Sequence, residues 1–130
     1  MSTTLECNHD QRRVTILRSG ILNIDDLIES VIRMRALNVW SYSVLVDARQ
    51  ASTNLSATEA RALVGKIRTV GDGAERGPIA VVATDDNTVG MVRMFAALSE
   101  PIGMRVNAFR QISDAEEWLQ RMASDTSPAS

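Results

Sequence analysis

The side chains best suited to chemistry fall in two short stretches, each following an apolar run. Asp47 and Arg49 come after Val44-Leu45-Val46, with Ser52-Thr53-Asn54 just beyond them. Thr84, Asp85, Asp86, Asn87 and Thr88 come after Ile79-Ala80-Val81-Val82-Ala83. Two readings compete for the carboxylates. Asp47, Asp85 and Asp86 could converge on a divalent cation, since magnesium is held by a few carboxylates and waters. In the other reading Asp85 or Asp86 caps a helix and Asp47 accepts from nearby amides. This second reading is preferred, because a helix start asks for such residues at these places in any case. The hydroxyls of Ser52, Thr53, Ser56 and Thr58 raise a phosphorylation switch, as a phosphate there would gain from a helix N-terminus while standing beside Asp47 and Glu59. Ser56 has a simpler role, because Ser56-Ala57-Thr58-Glu59 has the spacing of a capping box.

Nucleophile chemistry finds less support. His9, the only histidine, sits in the turn Asn8-His9-Asp10, and no spacing recruits it into a triad. Cys7, the only cysteine, reads as a small core residue on a strand and can form no internal disulfide. Gly71-Asp72-Gly73 follows a helix rather than a strand, the wrong context for a dinucleotide fingerprint. We therefore expect no catalytic residue, no metal and no cofactor, and a chain that is not an enzyme.

The elements that position these residues follow from periodicity. Thr3 to Cys7 and Arg13 to Arg18 alternate polar and apolar, which predicts an opening hairpin ended by Gly20. Leu27, Ile28, Val31 and Met34 then share one face of a helix capped by Asn23. Tyr42 to Asp47 predicts a strand buried on both faces. A second helix begins at the Ser56 box, buries Ala60, Leu63, Val64, Ile67 and Val70, and stops at Gly71 and Gly73. Ile79 to Ala83 is the most apolar strand and is expected at the centre of the sheet. A third helix runs to about Ser99, before Pro101. Met104 to Phe109 predicts an edge strand, and Ser113-Asp114-Ala115-Glu116 caps a last helix that turns Ala115, Trp118, Leu119 and Met122 inward.

The order β-β-α-β-α-β-α-β-α predicts an α/β fold: a mixed, mostly parallel sheet of about five strands with helices on both faces. Residues 1–123 are expected to form one domain and 124–130 a flexible tail. The chain of 130 residues is long enough to bury a core without staples. Fourteen basic against sixteen acidic residues exclude the basic footprint of a nucleic-acid binder. Met1 to Asp10 lacks a signal layout and no apolar run could span a bilayer, so a cytoplasmic protein not embedded in a membrane is expected.

The third helix stands apart. Val89, Met91, Val92, Met94, Phe95, Ala96, Ala97 and Leu98 cover more of its circumference than one sheet face can bury, and Arg93 is its only charge before Glu100. Its cover is either the neighbouring helices or another chain. Gly90, Met91, Arg93, Met94 and Phe95 are thus candidate interface residues for a homodimer or a partner.

With these residues in view, the chain resembles the SpoIIAA-like branch of the STAS (sulphate transporter and anti-sigma factor antagonist) domains. The resemblance rests on Val44-Leu45-Val46-Asp47-Ala48-Arg49, Gly77-Pro78-Ile79-Ala80-Val81-Val82 and Gly90-Met91-Val92-Arg93-Met94-Phe95. It extends to Val106 to Phe109 followed by Ala115-Glu116-Glu117-Trp118-Leu119. It implies a bacterial, non-enzymatic regulatory module that docks a protein such as a kinase or an anti-sigma-type regulator. The binding rim would be Asp47, Arg49, Ser52, Thr53, Ser56, Asp85, Asp86 and Asn87. Members of the family carry a phosphorylated serine in an Asp-Ser-Ser/Thr-Gly pattern. This chain has Ala51-Ser52-Thr53-Asn54-Leu55-Ser56 there, without the Asp and the Gly, so the region carries over without a specific acceptor. The alternative function is a carrier of a small hydrophobic ligand or lipid in an apolar cleft beside the third helix, and a third is an enzyme using the acidic rim.

Overall fold

The computed structural model describes residues 2–125. Strand β1 (Ser2–Asn8) turns back into β2 (Arg13–Leu22), followed by α1 (Ile24–Ala36), β3 (Ser43–Thr53), α2 (Ala57–Gly71) and β4 (Ile79–Val82). Helix α3 (Asp86–Ser99), a short 3₁₀ turn (Glu100–Ile102), β5 (Val106–Phe109) and α4 (Ile112–Asp125) complete the chain. The predicted order of elements is the observed one.

The five strands lie in sequence order, β1-β2-β3-β4-β5, with β1 antiparallel to β2 and the other pairs parallel. Val44 pairs with Ile79 and Asp47 with Val82, so the two apolar runs lie side by side and point the same way. The monotonic order decides where the helices go. Each right-handed crossover steps to the next strand in the same direction, so α1, α2 and α3 must all fall on one face. Helix α4 follows the last strand, makes no crossover, and closes the other face against β3, β4 and β5. The core therefore has two parts. The larger joins Val14, Ile16, Val44, Val46 and Ile79 to Val31, Met34, Leu63 and Ile67, and the smaller joins Leu45, Ala80 and Val82 to Ala115 and Leu119.

Helix ends match their sequence signals in three cases of four. The Asn23 side chain accepts from Asp26 N at 3.0 Å while the Asp26 carboxylate accepts from Asn23 N at 2.9 Å. Ser56 and Glu59 do the same for α2, each at 3.1 Å. Asp85 caps α3, and Asp72, left-handed at φ 46°, ends α2 between the two predicted stop glycines.

Four expectations need correction. The central strand is β3, not Ile79 to Ala83, because β4 is one place nearer the edge. Gly20 does not end the hairpin: at φ 83° it lets β2 bend and continue to Leu22. The continuation is paired, with a register shift between Leu17 and Ser19 that inserts an extra residue of β3. That pairing makes Ser52 and Thr53 strand residues, opposite Ile21 and Leu22, rather than part of a loop. The last helix starts at Ile112, one residue before Ser113. Ile112 packs against the smaller core and Ala115 N donates to Gln111 O at 3.2 Å, so Ser113 lies inside the first turn. Helix α4 runs to Asp125 and so takes in the first two positions of the expected tail, and 126–130 lie outside the described residues.

Candidate functional site

The polar rim above the strands is closed upon itself. The Asp47 carboxylate accepts from Arg49 Nε at 2.9 Å and from Arg49 Nη2 at 2.8 Å, with the Arg49 amide at 3.2 Å. These bonds, led by the guanidinium, hold the Asp47 carboxyl below the ordinary carboxylate value. Thr84 Oγ1 donates to Arg49 O, and Arg110 donates to Thr84 O at 3.0 Å and to Asp86 at 2.6 Å. Asp85 accepts from the amide and the hydroxyl of Thr88, at 3.1 and 2.7 Å. Asp85 caps α3 and Asp47 accepts from a nearby amide, the roles given by the capping reading, while the guanidinium partners of Asp47 and Asp86 are additions to it. Among the described residues no group of three His, Cys, Asp or Glu side chains is placed to hold a metal ion.

The hydroxyls divide by exposure. Thr53 is buried and binds Leu22 O through its hydroxyl at 3.0 Å, while its amide donates to Thr88 Oγ1, so it joins β2, β3 and α3. Ser52 is half-buried, and Ser56 is exposed and engaged as the α2 cap. Asn87 is exposed. His9 is exposed and meets the Tyr42 hydroxyl at 2.7 Å, and Cys7 is a half-buried free thiol packed against the larger core.

The α3 candidates fall on two sides. Met91 and Phe95 turn toward the larger core while Gly90 and Arg93 are exposed and Met94 is half-buried. Helix α2 and strand β5 pack along α3, where Val89 and Val92 are buried while Met91, Met94, Phe95, Ala96 and Leu98 stay half-buried and Ala97 exposed. The large apolar side chains that stay most exposed are elsewhere: Leu17 and Ile21 on β2, Ile32 on α1, and Leu37 just after it.

Between the sheet and helices α1 to α3 lies a cavity of about 130 Å³ with an almost wholly apolar wall. Val46, Leu63, Met91, Val92 and Phe95 are among the residues that line it. Two arginines that sequence reasoning did not single out border it. Arg18 is 7% exposed, donates to Thr3 Oγ1 at 3.3 Å, and feels Asp26 at longer range. Burial brings its pKa down from the ordinary arginine value to about 10, with Asp26 opposing the shift. Arg76 is 8% exposed and lies in the loop between α2 and β4. Its Nη1 donates to Trp40 O at 3.0 Å, its Nη2 approaches Met34 Sδ at 3.3 Å, and its guanidinium stacks 4.5 Å from the centre of the Trp40 ring. Burial alone brings its pKa to about 10. Arg18 had a visible signal, since the alternation of β2 puts it on the inward face with Val14 and Ile16. Arg76 had none, because its loop has no period.

With this geometry in view, the likeness to known proteins can be placed. The fold is similar to that of an uncharacterised DUF3478-family protein with a SpoIIAA-like fold from Shewanella loihica PV-4. The TM-score is 0.57 and the identity 16%, over 91% of this chain and 92% of that one. It is also similar to the anti-sigma factor antagonist SpoIIAA in its unphosphorylated form, with a TM-score of 0.52 and 12% identity over 92% of this chain and 98% of that one. No family model matches the sequence, and no curated protein does. The chain has the STAS, SpoIIAA-like fold: a mixed five-stranded sheet with four helices. No helix among the described residues is long and apolar enough to cross a membrane.

Proposed function

We propose that this chain is a non-enzymatic, cytoplasmic binding module of the STAS kind that holds a small apolar molecule between its sheet and helices α1 to α3. The apolar cavity carries this reading. A half-open pocket of about 130 Å³ with an apolar wall leaves apolar surface without packing partners, so an apolar occupant that fits it gains contacts. The closed polar rim supports the non-enzymatic part, because its carboxylates are engaged with arginine or helix-capping partners rather than paired as acid and base. The carrier alternative from the sequence is thereby favoured over docking alone.

The test is an amide-resolved NMR titration with 2-phenylethanol, a neutral probe of suitable bulk. We expect shifts centred on Val46, Leu63, Val92 and Phe95, and their disappearance in a Met91→Trp variant that fills the space. Shifts scattered over the surface, or none, would overturn the reading.

A second reading, docking of a regulatory protein at the rim and at α2 and α3, is favoured by the structural likeness to an anti-sigma factor antagonist. The exposed Arg93 and Gly90 are available to a partner or to a second copy of the chain. The two readings are compatible, as Met91 and Phe95 reach the cavity from the same helix that presents Arg93. Affinity capture from the native cell with wild type and Arg93→Glu checks it, and identical recovery from both would count against the α3 surface.

A further inference from the structure

Arg76 is a buried cation with no counter-ion among the described residues. None of the ion pairs among the described residues includes it, and burial brings its pKa down to about 10. Its Nε is buried with no hydrogen-bond partner. Nη1 is satisfied by Trp40 O, but Nη2 has only the thioether of Met34, a weak acceptor. The edge formed by Nε and Nη2 is the one a carboxylate meets with two parallel hydrogen bonds. Arg76 therefore holds an unpaired donor and an unpaired charge in a place where both are costly. It does so on the border of the apolar cavity. Arg18, also on that border, is partly compensated by Asp26 and bonded to Thr3, and makes no such demand.

We propose that the cavity binds a small amphipathic monocarboxylate, its apolar body against Val46, Leu63, Met91 and Phe95 and its carboxylate on the Nε and Nη2 edge of Arg76. The proposal rests on the cavity reading above and adds the chemical class of the ligand. Size limits the body, since a cavity of about 130 Å³ suits a group near the bulk of a benzene ring. The head is a carboxylate because its two oxygens match the two parallel donors, Nε and Nη2, of one guanidinium edge.

The test compares phenylacetate with 2-phenylethanol, which share shape but differ in charge. Wild type should bind phenylacetate about ten- to a hundredfold more tightly, the range expected of a charge-assisted pair. The preference should vanish in Arg76→Met, where the alcohol still binds, and persist in Arg18→Met. In wild type alone, the Arg76 Nε–H resonance should move with phenylacetate and stay still with the alcohol, and the preference should fade as pH drops below the ordinary carboxylate range. Those two readouts hold even where the Arg76 variant fails to fold. Equal binding of both probes, or a preference that survives Arg76→Met, overturns the proposal while leaving the cavity reading intact. A preference lost in Arg18→Met instead places the head at the wrong arginine and also overturns it. Binding of neither probe removes the cavity reading itself.

Discussion

Replacing Arg76 with methionine asks whether the buried charge serves the fold. Arg76 is 8% exposed, and burial lowers its pKa by between two and three units from the ordinary arginine value, to about 10. At about 1.4 kcal/mol per unit, keeping the guanidinium charged costs the folded state about 3 kcal/mol. The hydrogen bond to Trp40 O returns about 1.5–3 kcal/mol and the stacking on Trp40 about 0.5–2 kcal/mol. Methionine removes all of these and fills similar apolar space. Trp40 O is not orphaned, because the Gly77 amide also donates to it. The net change in Arg76→Met thus falls between about 1 kcal/mol gained and about 2 kcal/mol lost.

Urea unfolding at pH 7 measures that difference, and its pH dependence supplies a second check. Below pH 10 both folded and unfolded chains keep Arg76 protonated, so the cost is fully present. Above about pH 10 the folded chain releases the proton that the unfolded chain still holds. The unfolded state then binds more protons and wild-type stability gains about 1 kcal/mol per pH unit relative to the variant. A loss above about 4 kcal/mol at pH 7 would refute the reasoning and make Arg76 a structural pin. So would a difference that stays flat between pH 9 and pH 11, values that bracket the folded pKa of about 10.

Three further outcomes follow from particular contacts. Leu119, 1% exposed and packed with Leu45, Ala80 and Val82, holds α4 on the sheet. Leu119→Ala should cost about 3–4 kcal/mol in urea unfolding, and a cost below about 1 kcal/mol would deny that packing. Gly77→Ala should cost about 3 kcal/mol or more, because an added Cβ would stand 2.1 Å from Tyr42 O and 2.6 Å from Ser41 O; an unchanged thermal midpoint would contradict this close approach. Asp47 has its pKa lowered by Arg49, so its contribution is complete above the ordinary value of 3.8 and is lost as pH falls through its lower folded value. Asp47→Asn should flatten the acid limb of stability followed by circular dichroism, and an identical acid limb in both proteins would show that the ion pair contributes nothing.

Local signals carried much of this architecture. The capping boxes at Asn23-Asp26 and Ser56-Glu59 are satisfied within four residues, which is why both helix starts are legible in the sequence. The α4 start was misplaced because packing of Ile112 on the smaller core outweighed the spacing at Ser113. The end of β2 was misplaced for a similar reason, since pairing with Gln50 to Thr53 carries the strand through Gly20. The rim aspartates were legible as caps and loop charges, whereas their arginine partner at position 110 lies 24 residues from Asp86.

The sequence by itself determined the order of elements, the inward faces of α1 and α2, and the two apolar strands that pair at Val44 and Ile79. These depend on the period of side chains along one segment, a property the segment holds alone. Only the tertiary structure decided that three helices share one face, that they leave a cavity there, and that Arg76 stands beside it with no counter-ion among the described residues. Arg76 meets Trp40 and Met34 across 36 and 42 residues, and a charge becomes costly only when segments that far apart exclude water from it together.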